Sequence, residues 1–251
     1  MQDRPIVFIG SRDMLPDLIE QVELSGRTVE GFLDEFYVGQ HIFGARCLGS
    51  HLDLLPERRS PEIQDLVDRC DFFVASVYLM GNETSFHRRL EMIDIVQRAG
   101  DIQLTNIIHP VSSVSKGATL GTNVYVGFCT TIQNGVRVGD FASVYHYAIL
   151  SHHCSLGFNS LAHTHTGVAS NVHIGNHCTL GMRSSFSHTQ NDEYITVGDN
   201  TIVYSLTGIY RSIPENSIVL PNGKIVKNTK FDPSTFPTAW NPHARLVPED
   251  R

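Results

Sequence analysis

The chain has 251 residues, 41% of them hydrophobic and 18% charged, with a formal net charge of −7. This is a globular composition with room for one large or two modest domains. Basic runs do not exceed the pairs Arg58-Arg59 and Arg88-Arg89, which gives no electrostatic footprint for nucleic acid or an anionic membrane and leaves small molecules as the expected partners. No apolar run approaches the ~20 residues of a membrane span, and the N-terminus lacks a secretory pattern, so the expected location is the cytoplasm. Five cysteines without C-x-x-C spacing argue against a disulfide framework and against a thiolate zinc site. Of thirteen histidines, eight fall between His146 and His188.

In chain order, Ile6 to Ile9 reads as a buried strand ending at Gly10, and Met14 to Leu24 as a helix with Pro16 near its start. Thr28 to Asp34 reads as a second strand and Ser60 to Val67 as a helix behind a Ser-Pro start. Phe72 to Val77 is β-rich, Glu83 to Ala99 is a longer helix closed by Gly100, and Gln103 to Ile108 is a strand. This alternation predicts a small parallel α/β sheet of the nucleotide-binding, Rossmann-like type over residues 1–107.

After Ile108 the period becomes six. Ile108, Val114, Leu120, Val126, Ile132, Val138, Val144, Leu150, Leu156, Ala162, Val168, Ile174, Leu180 and Phe186 are all apolar. Four residues after each of the first thirteen stands a small one, from Ser112 through Cys154 and Cys178 to Ser184. Glycine follows the apolar residue at Gly121, Gly127, Gly139, Gly157, Gly175 and Gly181, where a tight corner favours a residue without Cβ. Three hexapeptides make one triangular coil, and each coil covers its apolar face only by stacking on its neighbours. The expected fold of residues 108–214 is a left-handed parallel β-helix, in which Cys154 and Cys178 are core residues. The frame slips by five after Phe186 and resumes at Val197, Val203 and Ile209, so Ser187 to Tyr194 (187–194) is an expected extruded loop. Residues 215–251, proline-rich and holding the single Trp240, match neither period and read as an irregular tail.

A small α/β half, then I-H-P (Ile108, His109, Pro110), then hexapeptides resembles the sialic acid and bacillosamine O-/N-acetyltransferase group of hexapeptide-repeat acyltransferases. The resemblance covers about residues 5 to 220. It implies a homotrimer that moves an acetyl or related acyl group from acetyl-CoA to an amino or hydroxyl group of a sugar or nucleotide-linked sugar, as in surface-polysaccharide biosynthesis, with no metal expected. It places the catalytic histidine at His152 in I-L-S-H-H-C-S-L-G, where a side chain with a pKa near neutrality can take and return a proton. His153 stands where the group often has an acid, Tyr145 where it has an asparagine, and Leu161 where it has a second histidine, with His163 and His165 nearby; His153, Tyr145, His163 and His165 are supporting candidates. Gly10, Ser11 and Arg12 occupy the place of its phosphate loop, which here lacks the later glycines. Asp34 and Glu35 in G-F-L-D-E match its acidic pair and are expected to accept hydrogen bonds from a base or sugar, or else to cap a turn. Lys224 and Lys227, near the position of an absent G-N-P-A motif, are candidates for a CoA phosphate.

Two other readings stand beside this one. A sugar-nucleotide-binding β-helix without transfer chemistry fits the eroded glycine loop and the missing CoA motif. A zinc-dependent hydratase of the carbonic anhydrase type would use the His163-Thr-His165 pair, if both imidazoles project to one side of a strand.

Overall fold

The computed structural model describes residues 4–10, 14–42, 44–75, 83–187 and 194–229. Contacts divide the chain into two units, Met1–Pro110 and Val111–Arg251.

The first unit is a sheet flanked by helices. β1 (Ile6–Ile9) is buried throughout, as a strand covered on both faces must be, and pairs in parallel with β2 (Val29–Leu33) and β5 (Asp71–Val74). β4 (Ala45–Gly49) extends the sheet in parallel beyond β2, and β3 (His41–Ile42) closes that edge antiparallel, giving the order β3-β4-β2-β1-β5. α1 (Leu15–Leu24) carries Pro16 in its first turn; α2 (Pro61–Arg69) starts where the Ser60 hydroxyl accepts the Ile63 N–H at 3.3 Å. α3 (Glu83–Ala99) ends at Gly100, whose φ of 75° is the left-handed stop expected of that glycine. A 3₁₀ turn, His51–Leu54, packs on α3 behind a capping box formed by Ser50 and Asp53. The predicted strand over Gln103 to Ile108 is not continuous: Leu104 makes an isolated parallel bridge to Phe72, and only Ile107–Ile108 is strand.

In the second unit, two- and three-residue strands stack into three parallel sheets around one core. Partners are one coil apart, as in Thr131 opposite Ile149 and Arg137 opposite Ser155. The core holds the sixfold column from Val126 to Phe186, then Val197, Val203 and Ile209, with Val136, Ala148, Cys154 and Cys178 from the small column. The frame slip is visible as register, because Ile202 pairs with Thr179 and Gly208 with Ser185. The expected loop itself, apart from its ends, lies outside the described residues.

Three expectations change. Ile108 is 37% exposed, and Val114 and Leu120 are only half-buried, since an end coil has a neighbour on one side. The glycines after the apolar column have no positive φ; they are needed because a Cβ would enter the next coil, as Gly139 would meet the Phe158 amide at 2.7 Å. The left-handed residue is instead the second of each corner pair: Asn123, Cys129, Gly135, Phe141, Tyr147, His153 and onward in sixes to Arg183, then Asn200 and Leu206. A turn with positive φ at its third position favours glycine or asparagine, yet most of these are neither. Coil-to-coil bonds hold them, such as the Tyr147 N–H to the Phe128 carbonyl at 2.9 Å. Finally, the tail is regular as far as Lys227. Ser217–Val219 adds to the sheet beside Ile202–Val203, and Ile225–Lys227 pairs back on it antiparallel. This antiparallel hairpin, with Gly223 at φ 78° in its turn, has no six-residue period to reveal it.

Candidate active site

His152 and His153 form a corner, after the strand Ile149–Leu150, rather than part of a flat coil wall. One coil is 18 residues, so Asn134 and Ser170 occupy the equivalent positions below and above. His153 donates its N–H to the Asn134 carbonyl (3.3 Å), and the Asn171 N–H reaches the His152 carbonyl (3.3 Å). The His152 amide is bound by Gln133 Oε1 at 3.2 Å. Its imidazole is exposed, and neither ring nitrogen has a hydrogen-bond partner among the described residues. The His153 ring lies against the Cα of Gly135, where a Cβ would collide with it, 6.3 Å from the His152 ring.

A second histidine at the same repeat position gives a control within the molecule. His146 Nδ1 accepts the Phe128 N–H at 2.9 Å, so that ring caps the corner of the preceding coil. The neutral imidazole then keeps its proton on Nε2. His152 has no such structural duty. Proton transfer requires a ring free to accept, and of these two corner histidines only His152 has one.

The other supporting candidates gather at a different corner. Tyr145 is buried between Tyr125 (5.3 Å) and His163, on which it stacks at 5.3 Å and 24°. Tyr147 stacks on His165 at 4.9 Å and 8°. Tyr145 and Tyr147 precede the strand Ile149–Leu150, as His163 and His165 precede its partner Gly167–Val168 one coil on, and His152 follows Ile149–Leu150, so one side of the coil separates them. His163 Nδ1 accepts the Thr164 N–H at 2.8 Å; burial, helped by His146, holds the His163 ring below the usual histidine pKa. Thr164 and His165 belong to a turn, so the pair does not alternate along a strand as the zinc reading required, and each ring has its own tyrosine. Among the described residues no group of three or more His, Cys, Asp or Glu is arranged to hold a metal ion. Cys154 and Cys178 are core residues whose thiols burial pushes up to about 12, which keeps them protonated and unreactive.

In the first unit, Asp34 caps the turn after β2: Oδ1 accepts the Phe36 N–H at 3.0 Å, and both oxygens accept from Arg88 Nη2 (2.9 and 3.0 Å). Glu35 is exposed. Gly10 closes β1 with φ 69°, and Ser11 and Arg12 lie outside the described residues. Lys224 and Lys227 are exposed on the hairpin that ends the described chain. Gln133, Gly135, Phe36 and Arg88 escaped the sequence reading. The first two were reachable, because subtracting one coil from His152 lands beside Gln133 and from His153 lands on Gly135. Arg88 was not, since nothing local ties α3 to the end of β2.

No family model matches the sequence. Solved structures do match along nearly the whole length. A histidine-to-asparagine variant of perosamine N-acetyltransferase from Caulobacter crescentus, in complex with CoA and GDP-perosamine, is 22% identical over 88% of this chain and 96% of that one, with a TM-score of 0.66. PerB from the same organism, with the same two ligands, is 23% identical over 88% and 97%, with a TM-score of 0.63. WeeI from Acinetobacter baumannii AYE is 18% identical over 88% and 99%, with a TM-score of 0.72. At these identities the likeness is one of fold: the chain has the architecture of perosamine N-acetyltransferase, an α/β unit followed by a left-handed parallel β-helix.

Proposed function

We propose that this protein is an acetyltransferase that moves an acetyl group from acetyl-CoA to an amino group of a nucleotide-linked sugar, with His152 as general base. The observation that carries the reading is the match, over 88% of this chain, to an enzyme whose structure holds CoA and GDP-perosamine. The free imidazole of His152 supplies the base such a transfer requires. An O-linked acceptor is the variant of the same reaction.

Acetyl-CoA supplies an acyl group activated as a thioester. His152 removes a proton from the neutral amine as its nitrogen forms a bond to the acyl carbon. The carbon–sulfur bond then breaks, and the proton held by His152 goes to the departing thiolate. Gln133 and Asn134 hold the corner backbone, so the ring works from a fixed support. Lys224 and Lys227 are exposed cations of the kind a CoA phosphate pairs with. In this reading the protein works as a homotrimer in the cytoplasm, with residues 1–107 binding the nucleotide and 108–214 carrying the transfer. No helix among the described residues is long and apolar enough to cross a membrane.

Thiol release from acetyl-CoA, measured against a panel of nucleotide-linked amino sugars, tests this. His152→Ala is expected to lower kcat by about 10²–10⁴, the usual contribution of a general base, with the KM for acetyl-CoA little changed. Equal turnover by the two proteins removes His152 from the mechanism. No thiol release with any acceptor favours the binding-protein reading.

A further inference from the structure

Asp34 is 2% exposed, and its carboxylate is already engaged by the Phe36 amide and by Arg88. It has little capacity left with which to read a ligand. The Arg88 guanidinium is fixed twice, by Asp34 and by the Phe36 ring, whose centroid lies 4.6 Å away. Its Nη1 and Nε donors have no partner among the described residues. Phe36 is 61% exposed, so with Arg88 against one face much of the ring still meets solvent. The pair stands just beyond the carboxyl end of β2, the edge of a parallel sheet at which α/β units take their ligands.

We propose that Phe36 and Arg88 form the base-recognition site for the nucleotide part of the substrate, and that they select a carbonyl-bearing base such as uracil or guanine over adenine. The inference rests on the sugar-nucleotide reading above. A flat base stacks on the exposed ring of Phe36, and Arg88 donates to a carbonyl oxygen on the base edge. The polarity is the reverse of the one expected from Asp34 and Glu35: the protein presents a donor, and the acid orients it. Adenine carries an exocyclic amine where uracil or guanine carries a carbonyl, so the fixed cation would face N–H groups. Such a site also rejects the adenine of CoA, which keeps donor and acceptor substrates from competing.

Calorimetric titration of the full chain with UDP, GDP and ADP tests the proposal. At least one of UDP and GDP should bind tenfold or more tightly than ADP. Phe36→Ala should weaken that binding roughly tenfold, the scale of one base–aromatic stack. Arg88→Met should bring the preference over ADP close to one. Because Arg88→Met strands a buried carboxylate and can unfold the unit, Phe36→Ala, at an exposed position, keeps the test open. Equal affinity for all three nucleotides, or unchanged binding in Phe36→Ala, overturns this inference and leaves the sugar-nucleotide reading standing. Failure of every nucleotide to bind removes that reading and this inference together.

Discussion

In the β-helix a strand of two residues pairs with another 18 positions along the chain, as Thr131 does with Ile149. In the α/β unit Ile6 pairs with Val29 on one side and with Asp71 on the other. The first arrangement repeats one local rule, so each hexapeptide names its own inward residue. The second depends on which distant segments meet, which no short window contains. The units therefore differ in how substitutions should act. In the β-helix the cost of a change is set by its place in the six-residue repeat, whereas in the α/β unit it is set by particular partners.

The largest effect expected from this contrast is at Gly157, where a Cβ would meet the Gly175 carbonyl and the Asn176 amide of the next coil. These are backbone atoms and cannot swing aside. Gly157→Val should destabilise the β-helix by about 1–3 kcal/mol, as overpacking of a tight core does. Thermal unfolding should register a drop of several degrees. A variant as stable as the parent would mean the coils are less tightly stacked than the contacts require.

A pH effect probes the other unit. His51 is fully buried, neither ring nitrogen has a hydrogen-bond partner among the described residues, and burial holds its pKa below the ordinary 6.5. Glu35, Glu91 and Asp34 oppose that shift, and Arg88 adds to it. The folded value is thus below the unfolded one, so the unfolded chain takes up the proton first. Stability from this group is complete above about pH 6.5 and is lost as the pH falls toward the folded value, by no more than about 1.4 kcal/mol per pH unit for one proton. His163 and His173 shift the same way in the β-helix, again mainly through burial. The discriminating comparison is His51→Leu, whose urea midpoint should fall less between pH 7 and pH 5 than the parent's. Parallel pH profiles for the two proteins would exonerate His51.

The smallest effect has the opposite sign. Leu206 is 72% exposed and holds φ at 61°, a conformation that disfavours a leucine and suits an asparagine. Leu206→Asn should stabilise the β-helix by about 0.5–1 kcal/mol. A loss of stability in calorimetry would show that the leucine side chain is covered in the working assembly.

The legibility of the chain follows the same division. The inward column, the burial of Cys154 and Cys178 and the shift of register after Phe186 could be read from spacing, because in a β-helix spacing is structure. β1, α1, α2 and α3 were legible from apolar runs and helix ends. β3, β4 and the His51 turn were missed: β4 alternates Ala45, Arg46, Cys47, Leu48 over too short a span to announce itself, and His51 looked like any polar residue. At the site, His152 came from a resemblance, and only the structure separated it from His146 by showing which imidazole already serves the backbone. The partnership of Asp34 with Arg88 needed the fold, because α3 brings that arginine from far along the chain.

The corners, with their left-handed second residues, have one more consequence. Because the corners from Gly135 onward are closed by backbone bonds to the coil beneath, a side chain with room at such a corner can change without altering the path of the chain. Equivalent corners are set one strand spacing apart, about 4.8 Å along the axis. A functional group can therefore be relocated in whole steps by substitution alone: moving the imidazole from His152 to Ser170 would advance it by one step past an unmoved substrate. Evolution of reach in such a molecule proceeds by counting coils, with no hinge or loop to rebuild.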